Sequence, residues 1–110
     1  MKLPNADTAI VDERKVREYL LSQSHPVGRF KAKFFESIGF TLEAWPGFVS
    51  ALRTLAMEGD ASVAEESEYG RKYVVRGPIS APGARPVDVE SVWIVRAGDD
   101  TPRLVTVYPR

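Results

Sequence analysis

Cysteine is absent from the 110 residues and histidine occurs once. Without cysteine there is no disulfide, no thiolate nucleophile and no cysteine-based zinc site. The absence fits a reducing compartment. A lone histidine leaves any metal site to carboxylates, and the acids are not clustered for one, so no metal and no cofactor is expected. Long apolar runs are missing too: none is long enough to span a membrane. The opening "MKLPNADTAIVDE" has no hydrophobic signal core and carries acids early. The expected location is therefore the cytoplasm, away from membranes. An excess of one charge is also lacking. Fifteen basic residues balance fifteen acidic ones, whereas a broad nucleic-acid binder is more often basic. There is no glycine-rich phosphate loop, no HExxH, no Ser–His–Asp context and no carboxylate pair patterned for glycoside chemistry. Repeats and low-complexity segments are absent as well.

What is present fits one compact domain, residues 1–110. A chain of this length buries roughly two-thirds of its unfolded surface, enough for a core without staples. The charge that cancels in total is sorted along the chain. From Asp12 to Lys33 there are six cations (Arg14, Lys15, Arg17, Arg29, Lys31, Lys33) against three anions, while Glu65, Glu66 and Glu68 make an acidic run elsewhere.

The first half reads as helical. In "VDERKVREYLLSQ", Asp12 is the expected N-cap and Glu13 suits the first turn. Val16, Leu20 and Tyr19 fall at helical spacing, and Ser22, Gln23 and Ser24 end the helix. Pro26 suits the first turn of a second helix. Phe30, Phe34 and Ile38 follow as its apolar stripe, and Gly39 stops it. A third helix is expected from about Leu42 to Glu58, with Trp45, Phe48, Val49, Leu52, Leu55 and Ala56 on one face and Pro46 tolerable only in its first turn. The second half switches to period two. "ASVAEES" reads as an edge strand, open to pairing or to a dimer. "YGRKYVVRGPI", "VDVESVWIVRA" and "RLVTVYP" are three more strands, with "SAPGARP" and "GDDTP" as turns. In the third strand Val87, Val89, Ser91, Trp93 and Val95 share one face and Asp88, Glu90, Val92, Ile94 and Arg96 the other, with Trp93 expected in the core. In the last, period two puts Leu104, Thr106 and Tyr108 on one face. Helices first and hairpin-linked strands after them predict an α+β fold: about three N-terminal helices packed on an antiparallel meander of about four strands.

Chemistry concentrates in "SHPVGRFKAKFF". With Pro26 opening a helix, His25 sits at or beside its N-cap, where free N–H groups favour an anion. Arg29 and Lys31 lie in the first two turns, off the phenylalanine stripe. A histidine that titrates near neutral pH and cations for a phosphate are the parts a metal-independent ribonuclease uses. The same stretch also fits an ordinary amphipathic helix with a capping histidine and solvated lysines. In the strand half, Tyr69, Arg71 and Tyr73 share a side and could contact a base or phosphate, or form a half-buried strand with snorkelling cations. Gly70 could be a bulge that aims Tyr69. Arg96 and Arg103 face each other across a hairpin. Thr106 and Tyr108 could line a cleft, or be plain strand formers.

The opening "LPNA", the stretch "HPVGRFKAKFF", the tyrosine–glycine step, the tryptophan strand and the terminal "PRLVTVYP" resemble a family of short bacterial proteins known only as a domain of unknown function. The likeness covers nearly the whole chain. More distantly, the order of elements is similar to the barnase, EndoU, colicin and RelE-like ribonuclease toxins. That resemblance implies catalytic roles for His25, Lys31, Arg103 and Thr106, and substrate contacts for Arg29, Tyr69 and Tyr108. It implies RNA as substrate and a small acidic antitoxin or immunity protein as partner. Two departures stand against it: the chain is neutral where many such toxins are basic, and it lacks the second histidine some carry. The expected function is thus a ribonuclease-like effector acting by general acid–base chemistry. The alternative is a non-catalytic interaction module that partners another small protein.

Overall fold

The structure, a computed structural model, describes residues 1–22, 24–26, 28–83 and 85–110, with the backbone alone at Gly28 and Phe30. A 3₁₀ turn at Ala6–Thr8 precedes α1 (Glu13–Lys15), which runs directly into a π-helical segment, Val16–Leu20. Helix α2 (Gly28–Ser37) follows, then a 3₁₀ turn at Leu42–Ala44 that leads into α3 (Trp45–Glu58). Strands β1 (Asp60–Ser67), β2 (Gly70–Ile79), β3 (Val87–Arg96) and β4 (Arg103–Pro109) complete the chain. They form one antiparallel sheet in the order β1-β2-β3-β4. The α+β arrangement is the one the sequence predicts.

Local chemistry explains each element. The Asp12 carboxylate accepts the Arg14 amide at 2.8 Å and caps α1. The widened π turn, closed by the Leu21 amide on the Val16 carbonyl at 2.9 Å, lets Val16, Leu20 and Leu21 all reach the core. Gly39 ends α2 at φ +101°, a left-handed conformation that favours glycine. The Phe40 amide bonds the Phe35 carbonyl and the Gly39 amide the Glu36 carbonyl, the two bonds of a Schellman motif. Phe35 and Phe40 then pack on Phe48 of α3, with ring centres 4.8 and 4.9 Å away. Pro46 sits in the first turn of α3, where its missing N–H is harmless.

The buried line of α2 runs through Ala32, Phe35 and Ile38, with Phe34 only half-buried. Ile38 is buried as expected, but Phe35 rather than Phe34 supplies the fully buried ring that meets Phe48 of α3. The Phe30 side chain and Gln23 and Ala84, which belonged to the predicted stripe, helix end and loop, lie outside the described residues. On the sheet, Tyr73, Val75, Val89, Ser91, Trp93, Leu104 and Val107 face the helices, and all are buried. Trp93 is fully enclosed. Its indole N–H donates to Ser91 Oγ at 2.8 Å, which donates to the Val75 carbonyl at 3.0 Å, so the buried polar groups are satisfied. Gly70 pairs in register with Ser67 and Arg96 rather than forming a bulge; the β1 irregularity lies between Val63 and Glu65.

A second irregularity positions the site. Val92 pairs with Thr106 and Trp93 with Leu104, so Val105 is an extra residue in β4. The bulge moves Leu104 to the core face together with Val107 and leaves Thr106 and Tyr108 on the other. Period two had placed Leu104 with Thr106 and Tyr108; the inserted residue breaks that alternation. Just before α1, the Ile10 amide bonds the Pro102 carbonyl and the Leu104 amide bonds the Ile10 carbonyl, at 2.9 and 3.0 Å. This short parallel bridge lays α1 along the start of β4.

Candidate functional site

The bridge at Ile10 and the bulge at Val105 together open a cleft of about 720 Å³ between α1, the π segment, α2 and β4. It is lined by residues that include Lys15, Tyr19, His25, Lys31, Val105 and Thr106. Lys31 reaches from α2 to donate to Thr106 Oγ1 at 2.7 Å and to the Tyr19 hydroxyl at 3.3 Å. Two of the three donors of its ammonium are thus engaged among the described residues. Its Nζ lies 5.1 Å from the centre of the Tyr19 ring and 6.0 Å from that of Tyr108. The His25 ring meets Tyr19 edge-to-face, with centres 4.8 Å apart and planes at 82°. Its carbonyl accepts the Arg29 amide at 3.1 Å, which ties His25 to the start of α2. Lys15 donates to the carbonyl of the bulged Val105 at 2.9 Å.

The acids in the cleft have other work. Asp12 caps α1, and Glu18 is held by Arg14 at 3.1 Å. The formal charges lining the cleft are thus those of Arg14, Lys15 and Lys31 against Asp12 and Glu18, an excess of one cation. Among the described residues, no group of three or more His, Cys, Asp or Glu side chains is placed to hold a metal ion.

The structure brings His25, Lys31 and Thr106 to one cleft, with Tyr108 at its edge. On β4 the phenol of Tyr108 is hydrogen-bonded to the Glu90 carboxylate; this contact, with burial, raises the phenol above its ordinary range. Glu90 is in turn held below the usual carboxylate range by the hydrogen bonds from Tyr108 and Arg76. Arg103 lies outside that cleft, in an adjoining pocket with Arg96, and stands 3.8 Å from Asp99. Arg29 is exposed in the first turn of α2 and does not line the cleft. Tyr69 is 74% exposed in the turn from β1 to β2, on the opposite side of the sheet order from β4. Tyr73 is buried, with its hydroxyl 3.4 Å from Arg71. Two lining residues, Lys15 and Tyr19, carried no site assignment from the sequence. Their signal was the i,i+4 spacing on one helix, which puts both on a single face.

The model of one family matches residues 2–110 of this chain; its description is "Domain of unknown function (DUF6883)". The chain belongs to the DUF6883 family. This is the unknown-function family that the sequence motifs resemble. None of the curated proteins matches it. The DUF6883 fold is similar to a solved structure described as "Contact-dependent growth inhibition toxin - immunity protein complex from Klebsiella pneumoniae 342". The two share 15% identity over 96% of each chain, with a TM-score of 0.69. At that identity the likeness is one of fold. Among the described residues, no helix of this DUF6883 chain is long and apolar enough to cross a membrane.

Proposed function

We propose that this chain is a small ribonuclease-like effector that cleaves RNA in the Lys31 cleft, without a metal. The supporting observation is the Lys31 ammonium, held between Thr106 of β4 and Tyr19 of the π segment with His25 against the same tyrosine ring. In the reaction a base takes the proton of a ribose 2′-hydroxyl, and that oxygen attacks phosphorus. The bond from phosphorus to the 5′-oxygen breaks, and the 5′-oxygen takes a proton. The products are a 2′,3′-cyclic phosphate and a 5′-hydroxyl. His25 fills one of the two proton-transfer roles, and the phenol of Tyr19, whose ring it meets edge-to-face, fills the other. Lys31 and the Thr106 hydroxyl stabilise the charge that builds on the non-bridging oxygens. Tyr108 flanks the substrate. Such an effector requires a neutralising partner, and a small acidic protein covering the cationic cleft fits. The fold neighbour's description as a toxin–immunity complex agrees with such a pairing.

The test is incubation of purified protein with total RNA, with product ends identified. Wild type is expected to leave 2′,3′-cyclic phosphates. Lys31→Ala is expected to lose about 10²–10³-fold in rate, and His25→Ala about 10²–10⁴-fold. RNA that stays intact with folded wild-type protein rejects the reading. It would favour the other one, a non-catalytic module whose cleft is a docking surface for an acidic protein. Cleavage undiminished in His25→Ala would keep the activity but remove the role of His25.

A further inference from the structure

The Lys31 cleft does not end at Lys15. Beyond it lies a second pocket of about 240 Å³, lined among others by Arg96, Arg103, Ile94 and Leu104. Asp12, Lys15 and Val105 line both pockets. The Lys15 ammonium, pinned on the bulged carbonyl, therefore stands at the divide with cations on either side. Two acids stand by this pocket and both accept backbone amides: Asp12, in its lining, caps α1, and Asp99 lies beside Arg103. Asp99 Oδ1 accepts the backbone amides of Asp100 and Thr101 at 2.7 and 3.0 Å, the contacts that lower its carboxyl, and Asp99 reaches Arg103 only at 3.8 Å. The buried Nε of Arg103 has no acceptor among the described residues, while the side chain as a whole is 37% exposed. The accessible donors here are the outer N–H groups of Arg103 and the exposed guanidinium of Arg96, a pair that suits an anion offering more than one oxygen.

We propose that the Arg96–Arg103 pocket is a second phosphate subsite, so that the substrate is a single strand whose backbone spans both pockets. The proposal rests on the ribonuclease reading of the neighbouring cleft. A mononucleotide would fill the Lys31 cleft alone. Two adjoining cation pockets match a chain on which the negative charge repeats. A single strand fits better than a duplex because its unstacked bases can lie against the aromatic rings beside the cleft, Tyr19 and Tyr108.

The test is fluorescence anisotropy with a labelled 2′-O-methyl tetranucleotide, which has no attacking hydroxyl, and with a labelled mononucleotide. Each is titrated over a range of salt. Arg96→Ala is expected to weaken the tetranucleotide severalfold and to lower the salt slope by about 0.7; Arg96→Ala combined with Arg103→Gln should lower it by about 1.4. Lys31→Ala should weaken both probes, whereas Arg96→Ala should weaken only the tetranucleotide. Thermal unfolding checks that the double variant is folded; if it is not, exposed Arg96→Ala carries the test alone. A salt slope unchanged by the Arg96 and Arg103 variants overturns the subsite, even when wild type cleaves RNA. An effect on competition by inorganic phosphate with none on the tetranucleotide also overturns it, as an isolated anion site. Failure of wild type to bind the tetranucleotide overturns both the subsite and the cleavage reading.

Discussion

Thr106 and Ser91 are both small hydroxyl residues in strands, and they do opposite jobs. Thr106 faces the cleft and receives Lys31, so Thr106→Val should lose cleavage while Thr106→Ser, which keeps the oxygen, should retain most of it. Comparing the two rates separates the hydroxyl from the shape of the side chain. Ser91 is fully buried and links the indole of Trp93 to the Val75 carbonyl. Ser91→Ala strands the indole N–H in the core and should cost about 1–3 kcal/mol, read as a lower midpoint in urea with an unchanged slope. Glu90 sets a pH signature. Its carboxyl lies below the ordinary range because Tyr108 and Arg76 hydrogen-bond its ionised form, so the folded chain holds that proton less tightly than the unfolded one. The contribution is complete above the unfolded carboxylate range and is lost as pH falls through the lower native value. Glu90→Gln should therefore flatten the acid limb of the stability–pH curve, below about pH 4. Tyr108, raised by the same contact, acts with the other sign: its contribution is lost as pH rises through the native phenol value.

At the scale of elements, the bulge in β4 and the turn after α2 decide what the site looks like. Removing Val105 leaves Leu104 and Val107 facing the core and Thr106 and Tyr108 facing outward, now in strict alternation. A Val105 deletion should therefore fold, with a wild-type far-UV spectrum. It deletes the carbonyl that holds Lys15, so cleavage should fall although no side chain proposed for the chemistry has changed. Gly39→Ala attacks the other feature. A Cβ there would lie 2.7 Å from the Gly83 amide nitrogen, at a positive φ, and should destabilise by at least about 1–2 kcal/mol in a urea titration. The Gly39 stop was legible in the sequence, whereas the β4 bulge was not. The four strands, the Asp12 cap, the Pro46 start of α3 and the core face through Trp93 were legible, because each rests on local periodicity or on one residue's stereochemistry. A bulge inserts a residue without a local signature, so Leu104 was assigned to the wrong face. The π turn likewise gave no warning that Leu21 would join Leu20 inside. The convergence of Lys31 on Thr106, 75 positions apart, depends on the Ile10 bridge, a pairing that no periodicity encodes. Residue chemistry named His25, Lys31 and Thr106; only the three-dimensional path brought in Lys15 and Tyr19 and moved Arg103 to the pocket next door.

On the scale of the whole molecule, one hydrophobic cluster draws residues from the π segment, α2, α3 and all four strands. Unfolding is therefore expected to be a single transition, with near-UV signal from enclosed Trp93 and far-UV signal from the backbone coinciding on heating. Two separate transitions would mean that helices and sheet are independent units. The order of the sheet has a further consequence for charge. Strand β1 carries Asp60, Glu65 and Glu66 and no base, and β4 carries Arg103 and no acid. With strands in sequence order, the two edges are three spacings apart, about 14 Å. The Debye length in physiological salt is only about 8 Å. A polyanion arriving at the β4 edge is thus screened from the acids of β1, and the molecule acts there as a cation despite its zero net charge. Under the proposed function, association with RNA at this edge should therefore slow with added salt, as it does for a basic protein.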